Sequence, residues 1–398
     1  MKHRFLLALV LVLAACQPRD TYTVVISLDG FRWDYPDYYD TPFLDSLGAA
    51  GVSARMEASY PASTFPNHYT LATGLVPDHH GLVNNSFWNP DTEHGYAIRD
   101  AESRYDPRYY LGEPIWVTAE KQGVKTGVVY WVGSDIEIGG LPSYYRHWEQ
   151  HPHWNFSERT DEVVRLLSLP ADERPRLVMA YFDEPDHQGH VYGPISAETK
   201  AMTEHMDSLL HSLYLRLKAL HGDRLNFVVL SDHGMTDISP DRFVGWYDVI
   251  PEAWTTRIKG TNPTSIWARE GYADSLYNRL SQVEHLSVWR HGEVPEHLNY
   301  GTSNRLGDLI VAPDLGWQFS YAPHKKGGAH GYDPTQTDMM VAFRAAGPSF
   351  RQHYEAPFTE GGQSAFHNTD IYPLLCKILG VKPAPVDGRL DRIKKILR

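Results

Sequence analysis

The sequence predicts an α/β fold, a mainly parallel sheet with helices on both faces, plus an inserted lid or subdomain. Three observations predict it. Four short runs rich in β-branched residues, Val24–Leu28, Val124–Val132, Leu177–Phe182 and Phe227–Leu230, are apolar at nearly every position, as strands covered on both faces must be. Amphipathic stretches separate them, and alternation of strand with helix means parallel strands joined by crossover helices. Three of the runs end in acidic residues, and in such sheets chemistry gathers beyond the carboxyl ends of the strands.

Taken in order, residues 1–16 begin with Lys2 and Arg4, continue as an apolar run from Phe5 to Ala15, and end at Cys16. The run is too short to span a bilayer, so residues 1–15 read as a secretory signal peptide. Leu13-Ala14-Ala15-Cys16 resembles a bacterial lipobox, which implies that Cys16 is lipidated. Gln17 after the Cys resembles an outer-membrane sorting signal. The expected location is therefore an exported, periplasm-facing lipoprotein touching the membrane only through the lipid on Cys16.

Val24–Leu28 runs into Asp29-Gly30, and Pro42–Ala50 follows as a helix. In Ser63-Thr64-Phe65-Pro66, proline suits an early helical position, so Thr64 or Phe65 falls at a helix N-terminus. A hydroxyl there faces free N–H groups and the positive end of a helix dipole, which favour a phosphate. Pro114–Gln122 and Ser157–Leu169 read as helices. Leu177–Phe182 runs into Asp183-Glu184-Pro185-Asp186. Ser196–Leu220 is a helix whose Met202, Met206, Leu210 and Leu213 recur at core spacing. Phe227–Leu230 runs into Ser231-Asp232-His233-Gly234. Residues 236–330 lose this rhythm and form the expected insertion, with strand-like Ser265–Ala268 and Asp308–Ala312. Met339–Phe343 returns to the sheet. Cys376 lies in an apolar helix, Ile371–Leu379. A single domain is expected over 22–382, with 383–398 as a C-terminal tail.

Composition narrows the function. The chain has 398 residues, 42% hydrophobic and 22% charged, ordinary values for a packed protein. Its net charge of −12 argues against stable nucleic-acid binding through a basic face. Small anionic substrates stay open, because a metal inverts the local field. With 21 His and only two Cys, imidazole rather than thiolate is the expected ligand.

One Asp at a strand end is ordinarily a turn former or cap. Three at one rim, two with histidine close by, read as a metal cluster. Asp186 and His190 are four residues apart and share a helix face. His233 adjoins Asp232, and both can turn to one ion. His330 sits between small residues, Gly327-Gly328-Ala329 and Gly331, which permit close backbone approach. Carboxylates mixed with imidazoles suit zinc, with manganese or another divalent ion as the alternative.

Asp29-Gly, Thr64-Phe-Pro-Asn-His, Asn85 in Gly-Leu-Val-Asn-Asn-Ser, Gly112-Glu-Pro-Ile-Trp, Glu184-Pro-Asp-His-Gln-Gly-His190, Ser231-Asp-His-Gly-Met and Gly328-Ala-His-Gly-Tyr occur in one order. Together, over residues 22–382, they resemble the nucleotide pyrophosphatase/phosphodiesterase family of the alkaline phosphatase superfamily. The resemblance implies an alkaline-phosphatase-like core and two Zn2+ per chain. One zinc is implied at Asp186, His190 and His330, the other at Asp29, Asp232, His233 and the Thr64 oxygen. It implies Thr64 as nucleophile of a phospho-threonine pathway and Asn85 as donor to a non-bridging phosphoryl oxygen. Phe65 and Tyr145 are implied to sandwich the base of a nucleotide substrate, with Tyr144 the adjacent alternative. His68 carries no implied catalytic role and reads as structural. The alternatives are a lipid or glycerophosphodiester head-group phosphodiesterase of the same family, a phosphomonoesterase, and a non-catalytic zinc-binding lipoprotein. A sulfatase is excluded, since no Cys/Ser-x-Pro-x-Arg motif precedes the first helix.

Overall fold

The computed structural model describes residues 21–147, 153–324, 326–358 and 366–398. The expected signal peptide and Cys16 fall on residues 1–20, outside the described residues. The main sheet contains β1 (Tyr22–Leu28), β2 (Val52–Glu57), β3 (Thr126–Val129), β4 (Tyr145–His147), β5 (Leu177–Phe182), β6 (Leu225–Leu230), β7 (Val341–Ala346), β8 (Tyr354–Glu355) and β9 (Phe366–His367). Its nine strands run β8-β2-β7-β6-β1-β5-β3-β4, with β9 also on β2. β6, β1, β5, β3 and β4 are mutually parallel, while β7 lies antiparallel between β6 and β2.

The helices that matter here are α1 (Pro42–Ala50), α2 (Thr64–Thr73), α3 (Ile115–Lys121), α4 (Phe156–Leu167), α5 (Asp186–Tyr192), α6 (Ala197–His221), α7 (Ile371–Leu379) and α8 (Leu390–Ile393). β1 shows why its run is continuously apolar. Val24, Ile26 and Leu28 pack with Leu47, Val163, Met206 and Leu213 from α1, α4 and α6 on one face. Val25 packs on the other with Leu71, Trp116 and Leu375 from α2, α3 and α7. Both faces are covered, so alternation with polar residues is suppressed. Cys376 is buried in α7.

The structure departs from the sequence reading in three places. The run Val124–Val132 is a strand only over β3, because Tyr130 takes φ 60° and ends it. Trp131 and Val132 are apolar because they are buried, not because they are extended. Residues 383–398 are not a loose tail: Ile393 and Ile396 are buried in the main core, and Leu397 bridges to Phe350. The short alternating strand β2 had no continuous apolar run to announce it.

After β6 the chain leaves the main sheet. Thr255–Lys259, Thr264–Ala268, Leu286–Arg290 and Leu309–Pro313 form a separate four-stranded antiparallel sheet. Its own core includes Ile266, Leu276, Leu309 and Val311. The chain returns through Gly327–Ala329, which pairs antiparallel with Thr236–Ile238. A Cβ on Gly327 would overlap the His190 carbonyl, so this strand passes α5 at a distance only glycine permits.

Candidate active site

The parallel strands place their acidic ends together. Asp29 follows β1, Asp186 opens α5 just after β5, and Asp232 follows β6. Backbone hydrogen bonds knit this rim: Asp29 N–H donates to the Phe182 carbonyl at 2.9 Å and Asp186 N–H to the Asp29 carbonyl at 3.1 Å. Gly30 N–H donates to Asp232 Oδ1 at 3.2 Å. Gly30 holds φ 65°, and a Cβ there would press on Asp186, a second place that favours glycine.

Each of three histidines is fixed through Nδ1. His190 Nδ1 lies 2.9 Å from the Gly328 carbonyl, His233 Nδ1 2.8 Å from the Gly234 carbonyl and His330 Nδ1 3.0 Å from the Ala62 carbonyl. A carbonyl only accepts, so Nδ1 carries the proton and Nε2 presents a lone pair. Those lone pairs face carboxylate oxygens. His233 Nε2 is 3.2 Å from Asp29 Oδ1 and 3.3 Å from Asp232 Oδ2. His190 Nε2 is 3.3 Å from Asp186 Oδ2, and His330 Nε2 is 3.9 Å from Asp186 Oδ1. Asp29 Oδ1 and Asp186 Oδ1 are buried with no hydrogen-bond donor. Acceptors facing acceptors in a buried site call for a cation between them.

Two ligand triples result, Asp29–Asp232–His233 and Asp186–His233–His330, each with its donor atoms within 4.8 Å of one another. His233 is shared between them, and His190 joins through Asp186. The electrostatics agree. Burial, then the charges of Asp232 and Asp186, push the Asp29 carboxyl well above its ordinary range. Burial also opposes ionisation of Asp232, but His233 and His68 outweigh it and hold that carboxylate below the usual range. Burial and the neighbouring His233 and His190 keep His330 neutral far into acid. This donor set, hard carboxylates with neutral imidazoles and no thiolate, fits two divalent ions.

Thr64 is the first residue of α2, after an extended Ser63. Its Oγ1 lies 3.1 Å from His233 Nε2, which puts the hydroxyl against the cluster. Phe65 N–H donates to Asn85 Oδ1 at 3.1 Å. That uses the Asn85 carbonyl and leaves its amide N–H groups to donate. A cavity of about 620 Å³ opens here, lined by Ser63, Asn85, His190 and His330 among others.

Two candidate rings stay away from this site, and two residues given no part in it by the sequence reading join it. Tyr145 is not brought to Phe65: it starts β4 at the sheet edge, paired with Gly127, and packs into the core shared by α4 and α6. Tyr144, the alternative, rests on Tyr145 and on Lys125. Spacing alone could not separate these rings from the site, because a parallel strand carries its first residue to the end opposite the catalytic rim. Phe65 is 9% exposed and packs with Tyr96, 6.5 Å between ring centroids. His68, read as structural, sits 3.2 Å through Nδ1 from Asp232 Oδ2, with Nε2 2.9 Å from Ser27 Oγ. Tyr181 donates its hydroxyl to Asp29 Oδ2 at 2.5 Å. The i, i+4 spacing of Thr64 and His68 was the available signal for the first; nothing local marked Tyr181.

Comparison with known proteins places this geometry. The family model for type I phosphodiesterase / nucleotide pyrophosphatase matches residues 23–333. Human ectonucleotide pyrophosphatase/phosphodiesterase family member 1 is 32% identical over 396 residues, covering 94% of this chain and 42% of that protein. The venom phosphodiesterase CdcPDE of Crotalus durissus collilineatus is 32% identical over 394 residues, covering 94% and 46%. The chain thus spans less than half the length of these two relatives. An uncharacterized pyrophosphatase/phosphodiesterase of Schizosaccharomyces pombe is 33% identical over 394 residues, covering 92% and 79%. Murine ectonucleotide pyrophosphatase/phosphodiesterase 5, solved as an inactive variant in complex with AMP, superimposes with a TM-score of 0.88 at 28% identity, over 95% of this chain and 100% of that one. The chain belongs to the type I phosphodiesterase / nucleotide pyrophosphatase family.

Proposed function

We propose that the protein is a two-zinc hydrolase of nucleotide phosphodiester and pyrophosphate bonds, releasing nucleoside 5′-monophosphates through an ester on Thr64. The observation that carries this reading is the Thr64 hydroxyl, at a helix N-terminus and 3.1 Å from the shared ligand His233. The names of the relatives and the AMP bound by the murine neighbour support nucleotides as the substrate. Asp186, His190 and His330 would hold one zinc, and Asp29, Asp232, His233 and Thr64 the other. Bound zinc supplies Lewis acidity, lowering the pKa of the hydroxyl and stabilising oxyanion charge.

The chain's own groups do the rest. The N-terminal N–H groups of α2 and its dipole attract the phosphoryl group to Thr64. Asn85, oriented by Phe65 N–H, donates to a non-bridging oxygen, where charge grows in the transition state. Thr64 Oγ1 gives up its proton to solvent and bonds to phosphorus as the bond to the leaving oxygen breaks, and that oxygen departs with the electron pair. Water then cleaves the Thr64 ester, which still carries the nucleoside, and restores the hydroxyl.

Product analysis tests this. Purified zinc-loaded protein should convert ATP to AMP and pyrophosphate, and rapid quenching should trap label from α-phosphate-labelled ATP on Thr64. Turnover of glycerophosphodiesters with none of nucleotides would overturn the reading in favour of head-group hydrolysis.

A further inference from the structure

The catalytic rim gathers carboxylates; the opposite end of the main sheet gathers cations. The parallel strands begin there, with Lys125 just ahead of β3, Arg174 ahead of β5 and Arg224 ahead of β6. The Arg174 and Arg224 guanidinium carbons each lie 5.2 Å from the centre of the ring of Tyr22, which opens β1. The C-terminal residues are tied to the same end. Asn226, at the start of β6, donates to Ser349 Oγ at 3.0 Å, and Arg398 N–H donates to the Ser349 carbonyl at 3.1 Å. Arg351, Lys394, Lys395 and Arg398 are all exposed. Exposed acids share this end, Asp172, Glu173 and Asp223 among them, and Lys218 pairs with Asp223 at 3.2 Å. The basic groups outnumber those acids, in a chain whose net charge is −12.

Apolar side chains are exposed at the same end. Tyr144, the residue before β4, is 50% exposed, with Lys125 Nζ 4.5 Å from the centre of its ring. Leu220, next to the last residue of α6, is 45% exposed, and its neighbour His221 packs on Tyr22 at 4.3 Å between ring centroids. Cations with a tyrosine and a leucine beside them suit the head-group region of a bilayer, where amphipathic rings settle and anionic lipids attract basic groups. The length of chain between this end and Cys16 agrees. Tyr22 follows Cys16 by six positions, so even a fully extended chain keeps the two within about 20 Å. β1 is seven residues long, which sets its start about 20 Å from the rim. A lipid on Cys16 therefore holds the start of β1 near a bilayer, and charge selects the side that turns toward it: the rim is acidic and the strand starts are basic.

We propose that the end around Tyr22 is a docking face for an anionic phospholipid surface. With a lipid on Cys16 it makes a two-point attachment, in which a lipid tether and a basic patch act together. Held this way, the rim opens to solution and meets soluble substrates, while the head groups of the anchoring bilayer lie at the wrong end of the sheet. The two-point attachment rests on the reading of Cys16 as lipidated; the docking face does not.

Two measurements test it. In the first, unlipidated Cys16→Ala protein is mixed with vesicles of phosphatidylcholine alone, or of equal parts phosphatidylcholine and phosphatidylglycerol. It should sediment with the anionic vesicles at low salt, stay clear of the neutral ones, and be released by added salt. Lys394→Glu, Lys395→Glu and Arg398→Glu combined should weaken that binding about a hundredfold, at about fivefold per basic group near an anionic surface. Turnover of the p-nitrophenyl ester of thymidine 5′-monophosphate should stay at the parent level. If the combined variant does not fold, Arg351→Glu alone should cost about fivefold. Equal affinity for the two kinds of vesicle, or unchanged binding in the folded variants, overturns the proposal. In the second, wild-type protein anchored in the anionic vesicles carries a dye at Leu220→Cys or at Tyr321→Cys, Cys376 being buried. Tyr321 is 65% exposed and follows Ser320 of the catalytic cavity. A quencher on the lipid head groups should dim the dye at position 220 and spare the one at 321; equal quenching or the reverse order overturns the orientation. Wild-type protein without the added mass of a lipid on Cys16 overturns the anchor reading instead, and the vesicle measurement then decides the docking face by itself.

Discussion

Tyr181 does for Asp29 what backbone carbonyls do for the three histidines: it takes Oδ2 and leaves Oδ1 facing His233, while His68 lies against Asp232 Oδ2. Such outer partners raise metal affinity by fixing orientation before the ion arrives. Tyr181→Phe removes one hydroxyl and should weaken zinc binding about 10–100-fold with the fold intact, measured by competition with a chromophoric chelator. Thr64→Ala should abolish diester turnover, by about a thousandfold or more, while metal content stays near that of wild type. Retention of most turnover in that variant would remove the covalent step. The raised Asp29 favours its protonated form in the metal-free fold, so its stabilising contribution is present at low pH and lost as pH rises through the raised value. His330 acts oppositely: its neutral ring stabilises above the ordinary histidine range, and that is lost as pH falls through the lowered value. Zinc needs both deprotonated, so its affinity should climb about tenfold per pH unit while Asp29 titrates, then flatten. Activity should be chelator-sensitive, restored by zinc, weak in acid and best in mild alkali. A zinc affinity that does not rise as pH is raised from acid would contradict this assignment.

At the scale of elements, the site depends on two close approaches. The strand Gly327–Ala329 lies so near α5 that Gly327→Ala must push His190 aside. Overpacking of this kind costs about 1–3 kcal/mol, and here it should also release zinc, read as metal content after dialysis. Helix α2 carries Thr64 on its first turn and His68 on its second, so one element holds both the proposed nucleophile and the imidazole beside Asp232. Tyr145 fails as a substrate ring for an equally elementary reason. It begins β4, and parallel strands present their last residues to the rim, not their first.

For the whole molecule, the last residues close the core that covers α2, α3 and α7. Ile393 and Ile396 are 0% and 2% exposed. Ile396→Ala should therefore cost about 2–5 kcal/mol, read by denaturant unfolding of the zinc-loaded enzyme. Among the described residues no helix is long and apolar enough to cross a membrane. We propose that lipid on Cys16 is the anchor, so Cys16→Ala should move active enzyme from the membrane fraction to the soluble one. Persistent membrane association would refute that.

The buried strands and the helices between them were legible in the sequence, because burial on both faces imposes apolar runs that local patterning records. Val24–Leu28 and Leu177–Phe182 could hardly be anything else, and their acidic ends marked the rim. The Asp186–His190 pair was legible from helical spacing, and the glycines around His330 from the space they leave. What local patterning could not carry was anything set by distance across the sheet. Tyr181 holds Asp29 from a neighbouring strand, His233 stands in both ligand triples, and Tyr145 lies at the wrong end of its strand. Trp317 lines one cavity with Ser63, Asn85 and His190, each more than a hundred positions away. Hydrophobic periodicity is a property of single elements and is written residue by residue. Ligand sharing, second contacts and cavity walls arise only when elements pack, and only the tertiary structure decided them.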